Sequence, residues 1–138
     1  MMPTIDELEV LTPDQLGRLL CIEASRDSPD FQYIQNLIAV GCPIDIGNQH
    51  GWTALHSAAR KGHLRVVKFL ISKGAEVNAR DKNRCTPLHR ANLNGDIKVV
   101  KFLLQRGADI HARDIYGQAP WNYAIKAIRE ALPELEPK

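Results

Sequence analysis

Five histidines and three cysteines are the side chains of this 138-residue chain best suited to chemistry. A histidine beside a carboxylate or thiol serves as a general base or a metal ligand. A cysteine beside a base serves as a nucleophile. The spacing speaks against all three. His50 and His111 have no Cys or carboxylate at ligand spacing, and Cys21, Cys42 and Cys85 are an odd count set far apart. No H-E-x-x-H, G-x-S-x-G or Gly-rich phosphate loop is present. His56 and His89 lie 33 residues apart, each three residues after a threonine. From there a side chain can reach back to cap a helix start, which is a structural task. No catalytic residue, metal site or cofactor is expected.

The elements that position these histidines repeat with them. Thr53-Ala54-Leu55-His56 returns as Thr86-Pro87-Leu88-His89, Gly62 as Gly95, Val66-Val67 as Val99-Val100, Gly74-Ala75 as Gly107-Ala108 and Asp81 as Asp114. A fixed period means one supersecondary unit stacked on copies of itself, since one unit alone cannot bury its apolar face. Thr53 and Thr86 are N-cap residues, Pro87 suits a first helical position, and Gly74 and Gly107 are helix stops. Leu64, Val67, Phe69, Leu70 and Ile71 form a helical apolar stripe that Ile97, Val100, Phe102, Leu103 and Leu104 repeat. Residues 48–80 and 81–113 are full repeats. A 33-residue step backwards lands on Gly41, Leu37 and Ile22, so residues 14–47 read as a degenerate first repeat. Residues 114–132 read as a shortened last one, with Trp121 on the core position of Leu55 and Leu88. Residues 1–13 form an extension in which Thr4 starts a short helix, and residues 133–138 an acidic tail.

The apolar fraction of 44% fits one packed domain. No apolar run approaches the roughly 20 residues of a membrane span, and the acidic N-terminus does not read as a signal peptide. No membrane partner is expected, and a reducing cytoplasm is the expected compartment; the nucleus, or delivery without a cleavable signal, fits equally. The net charge of +2 hides polarity. Residues 1–47 hold eight acids against two arginines, whereas residues 48–113 hold thirteen bases against four acids. Such an uneven field steers an acidic partner. An alternative is a nucleic-acid or phosphate-binding role for the basic central repeats, although no known nucleic-acid motif is present.

These motifs resemble the ankyrin repeat family over roughly residues 14–130: the period, the T-P-L-H-x-A box, the Gly-His before the second helix and the Gly-Ala-x-x-Asn ending. The resemblance implies an all-helical solenoid with short β-hairpin loops, acting as a non-enzymatic protein-interaction module, an adaptor or an inhibitor. It implies a contact surface made of hairpin tips and the exposed face of each first helix. By position the tips are Gln49, His50 and Trp52, then Lys82, Asn83, Arg84 and Cys85, then Ile115, Tyr116 and Gln118. The helix positions are Arg60 and Lys61, then Leu93 and Asn94, then Lys126, and Arg80 and Arg113 sit beside the tips. Trp52 and Tyr116 are the expected anchors, and the bases select for acid on another protein. Cys85 is expected to be exposed and open to alkylation. The resemblance also marks Asn78, and His111 one repeat on, as the place hydroxylated in some family members.

Departures from the pattern add further expectations. Arg84 stands where Gly51 and Gly117 place a glycine, at a cost on the order of 1 kcal/mol if the turn needs a positive φ. Asn92 replaces the small Ala59 and needs a hydrogen-bond partner, with a neighbouring loop the expected source. Residues 122–132 lack the glycine between helices and are expected to form one longer helix. Both ends read as caps, so a monomer is expected.

Overall fold

The computed structural model describes residues 2–136 and consists of helix pairs joined by tight turns. Helix α1 is Ile5–Leu8, α2 is Pro13–Ala24 and α3 is Phe31–Ala39. The two full repeats give α4 (Ala54–Lys61) with α5 (Leu64–Ser72), and α6 (Pro87–Asn94) with α7 (Ile97–Gln105). A 3-10 helix, Pro120–Tyr123, and α8, Lys126–Ala131, close the array. A further 3-10 turn spans Pro133–Leu135. Among the described residues there is no strand, and the hairpins are single turns.

Local chemistry starts and stops each helix. The side chains of Thr4, Thr12, Thr53 and Thr86 accept hydrogen bonds from the first turns of α1, α2, α4 and α6. Gly62 and Gly95 end α4 and α6 in the left-handed conformation. Gly95 is needed twice over, because a Cβ there would lie 2.2 Å from Ile125 Cδ1.

The helices stand in two rows. Inner helices α2, α4 and α6 carry small residues at their contacts, and Ala54, Ala58, Ala59 and Ala91 are fully buried. Outer helices α3, α5 and α7 meet through longer side chains, among them the T-shaped pair Phe31 and Phe69. The inner helices therefore pack far closer than the outer ones. Between the rows, Leu55, Leu70, Leu88, Leu103, Val67 and Val100 form the core.

A buried relay ties each repeat to the next. Thr53 N–H donates to His56 Nδ1 at 3.1 Å, and His56 Nε2–H donates to the Cys85 carbonyl at 2.8 Å. Thr86 and His89 repeat this, His89 Nε2 reaching the Gln118 carbonyl at 2.9 Å. In the first repeat the Cys21 thiol takes the imidazole's place and points at the Trp52 carbonyl at 3.4 Å. In the last, Asn122 Oδ1 accepts from Ala119 N–H at 2.8 Å. Each imidazole is thus the neutral tautomer with its proton on Nε2. Burial holds both histidines below their usual pKa of 6.5.

Two expectations are corrected. Ile22 is not a core residue and is 59% exposed. Helix α2 is longer than α4, and Leu16, Leu20, Cys21 and Ala24 face inward instead. Residues 122–132 do not form one helix. Ala124 is extended (φ −67°, ψ 124°), which splits the segment. Tertiary bonds outweigh local helix preference here: Arg129 donates to the Ala124 and Trp121 carbonyls at 2.8 and 3.2 Å, and Ile125 packs on Gly95. The last unit thereby keeps a second helix, α8, anchored by fully buried Ile128. Leu132 at the end of the last unit and Leu135 within the acidic tail both pack on the core; the tail's last two residues, like residue 1 of the N-terminal extension, lie outside the described residues. Trp121 is buried as expected.

A histidine whose folded pKa is depressed is protonated first in the unfolded chain. Its stabilisation is full above pH 6.5 and is lost as pH falls from there towards the folded value. Protonated Nδ1 would also face the Thr53 or Thr86 N–H donor. Urea midpoints should hold steady from pH 8 to pH 7 and fall by pH 5.5; an unchanged midpoint at pH 5.5 would contradict the relay.

Candidate partner-binding surface

Each tip is built around one side-chain oxygen. Asn48 Oδ1 accepts from the His50 and Trp52 amides at 2.9 and 3.1 Å. Asp81 Oδ1 does so for Asn83 and Cys85, and Asp114 Oδ1 for Tyr116 and Gln118, all at 2.9 Å. The Asn48, Asp81 and Asp114 amides close the turns onto the Trp52, Cys85 and Gln118 carbonyls. Neighbouring tips are stitched together: Lys82 N–H donates to the His50 carbonyl at 3.1 Å, and Ile115 N–H to the Asn83 carbonyl at 3.0 Å. Arg84 has φ 61°, matching Gly51 at 73° and Gly117 at 75°, so the positive φ inferred for this turn is present.

The second carboxylate oxygen of each buried aspartate needs its own partner. Asp81 Oδ2 takes the Arg90 guanidinium at 2.7 Å, with the Asp81 side chain fully buried. Asp114 Oδ2 takes the Tyr123 hydroxyl, one repeat on from Arg90. That bond, more than burial, pushes the Tyr123 hydroxyl up to about 12. Burial alone would raise the Asp114 carboxyl; hydrogen bonds from Tyr123, Gln118 and Tyr116 outweigh it and hold it below 3.8. The first tip has uncharged Asn48 and, opposite it, Ser57 where Arg90 stands.

The tips and inner helices bring most of the expected residues to one side. Gln49, His50, Lys82, Asn83, Ile115 and Tyr116 are exposed there, as are Arg60, Lys61, Leu93 and Asn94. Arg84 is exposed on its strained turn, and Gln118 is half-buried. Tyr116 is 71% exposed. Trp52 differs from expectation: it is half-buried, with the Arg90 guanidinium 4.4 Å from its ring centroid. Arg80 donates to the Arg84 and Arg113 carbonyls at 3.2 and 2.9 Å, and Arg113 to the Gly117 carbonyl at 2.7 Å. These two arginines brace the tips. Lys61 pairs with Asp27 at 3.0 Å.

Cys85 is corrected outright. It is 5% exposed, its thiol 3.8 Å from Asp114 Oδ2, and burial pushes the thiol up to about 11. Its backbone lies at the tip, but the side chain points inward under the turn. Asn92 is buried, with its amide donating to the Pro120 carbonyl at 2.8 Å, the loop contact its sequence position called for. Asn78 bridges repeats, accepting from Asp109 N–H at 2.8 Å and donating to the Gly107 carbonyl at 3.0 Å.

Sequence reasoning missed the floor of this side. A groove of about 800 Å³ opens between α2 and the first tip, lined by Asp14, Arg18, Ile22, Gln49, His50 and Trp52. A smaller one of about 130 Å³ lies among Asn83, Leu93, Tyr116 and Tyr123. Exposed Ile22 could have been found only by noticing that α2 starts at the Thr12-Pro13 cap, which shifts its faces against the 33-residue step.

The family model for ankyrin repeats (3 copies) matches residues 20–114. The chain belongs to the ankyrin repeat family. No curated protein matches it significantly. Ankyrin repeats are in general protein-interaction modules, and the inner side described above is where this ankyrin array presents its tips. Among the described residues, no helix is long and apolar enough to cross a membrane.

The alternation of tip chemistries makes a double substitution informative. Arg90→Ser should destabilise by about 3 kcal/mol, because it leaves the Asp81 carboxylate buried and unpaired. Adding Asp81→Asn recreates the Asn48 and Ser57 arrangement and should recover at least half of that loss in urea titrations.

Proposed function

We propose that this ankyrin array is a non-enzymatic adaptor or inhibitor, acting as a monomer, that grips an acidic protein partner across its tips and inner helices. The observation that carries this reading is a row of exposed apolar side chains on a braced inner face: Ile22, Leu93, Ile115 and Tyr116 are 59%, 38%, 51% and 71% exposed. Lys82, Arg84 and Arg60 surround them with charge. Tyrosine and arginine together, as at Tyr116 and Arg84, are the composition of interface hot spots. The surface is rigid before binding, since amide bonds join each tip to the next, so little entropy is lost on association. The three buried thiols, with Cys21, Cys42 and Cys85 all pushed up to about 11 by burial, suit a reducing compartment.

Within this reading Tyr116 and Leu93 anchor directly. Trp52 contributes one wall of the α2 groove and is held by Arg90, so its loss acts on both binding and stability. Lys82 and Arg84 steer.

Affinity capture from lysate, followed by titration of the captured protein, tests it. Tyr116→Ala and Leu93→Ala should each weaken binding by about 2 kcal/mol, with unchanged melting temperature. Lys82→Glu should slow association and flatten its salt dependence. Losses below about 0.5 kcal/mol at both Tyr116 and Leu93 would remove the anchors and the proposal with them.

A further inference from the structure

The outer helices carry a lattice of charge that the inner-face reading does not use. Arg65, Lys68 and Lys73 on and just after α5 recur 33 residues later as Lys98, Lys101 and Arg106 on and just after α7. All six are exposed. None takes part in the ion pairs found among the described residues, which join Arg26 to Glu23, Lys61 to Asp27, Arg90 to Asp81 and Lys126 to Glu130. The next outer helix, α3, has no charged residue. Nearby acids are turned into their own loops: Glu76 accepts from the Asn78 amide, Asp109 from the His111 amide, and Asp96 caps α7. Helical rise and helix spacing set the two triplets on a patch of roughly 12 by 10 Å.

Four of the cations also cover aromatic rings beneath them. The Arg65 guanidinium lies 3.8 Å from the Phe31 centroid, Arg106 5.2 Å and Lys68 5.6 Å from that of Phe102, and Lys73 5.7 Å from that of Phe69. The rings fix the cations in a layer above the apolar core while the charged heads face water.

We infer that this outer face is a peripheral docking surface for an anionic phospholipid bilayer. Unpaired cations massed on one face are attracted to anionic headgroups, each adding to the total. The six cations spread over two helices and neither groove described above opens among them, so the face suits a broad sheet of headgroups. Single-stranded nucleic acid binds by stacking bases on open aromatic faces, and here the phenylalanine rings lie beneath cations. An acidic peptide needs a groove, and both grooves described above lie on the inner side. No membrane span is involved. The inner face is left free, so the protein could hold a partner while resting on lipid.

The test is co-sedimentation of the full chain with phosphatidylcholine vesicles, with and without phosphatidylserine. The protein should pellet with the anionic vesicles only, and added salt should release it. A Lys68→Gln, Lys98→Gln, Lys101→Gln triple variant, folded by its melting curve, should partition about a hundredfold more weakly. Tyr116→Ala should pellet like the parent protein, which separates this surface from the inner one. Equal pelleting of the triple variant, equal pelleting with neutral vesicles, dependence on Tyr116, or displacement from lipid by a low concentration of single-stranded RNA would each overturn the inference.

Discussion

The hydrogen bond from a buried, neutral imidazole to the carbonyl of the following tip is the constraint on which the rest depends. His56 and His89 each satisfy a helix cap with one nitrogen and hold the next repeat with the other. A single ring therefore sets both where a helix begins and where the neighbouring turn sits. Without it, the Cys85 and Gln118 carbonyls would be left without this partner beneath the tips. The first repeat reaches the same end with a thiol, a weaker donor.

From that anchor the tips inherit their order. The Asp81 and Asp114 carboxylates fold the turns with one oxygen and with the other reach α6 and the closing 3-10 helix. Arg80 and Arg113 then lock adjacent carbonyls. The charge visible at the tips is accordingly of two kinds. Some of it is committed to holding the backbone, and some, on Lys82 and Arg84, projects freely. The same division runs through the aromatics, where Trp52 is clasped by Arg90 and Tyr116 stands clear.

Much of this was legible in the residues. The 33-residue echo gave the paired helices, the capping role of the histidines, the core position of Trp121, the loop bond of Asn92 and the left-handed turn at Arg84, because each follows from local chemistry repeated in place. What escaped depends on neighbours. Cys85 sits at a tip by sequence, yet its side chain direction is set by a turn that folds around Asp81. Ile22 matches Leu55 by count, but α2 has its own starting cap and rotates accordingly. The break at Ala124 has no glycine to announce it; contacts from Arg129 and Ile125 impose it. The basic triplets of α5 and α7 were countable, but only the folded chain shows that four of the six cations lie over phenylalanine.

The unequal closeness of the two helix rows has a mechanical consequence. Alanine against alanine leaves the inner row no slack, so it acts as a fixed spine. The outer row, held apart by longer side chains, has slack that the spine lacks. A larger side chain at Ala58 or Ala91 would have to push two repeats apart, whereas one on the outer face of α5 or α7 would not.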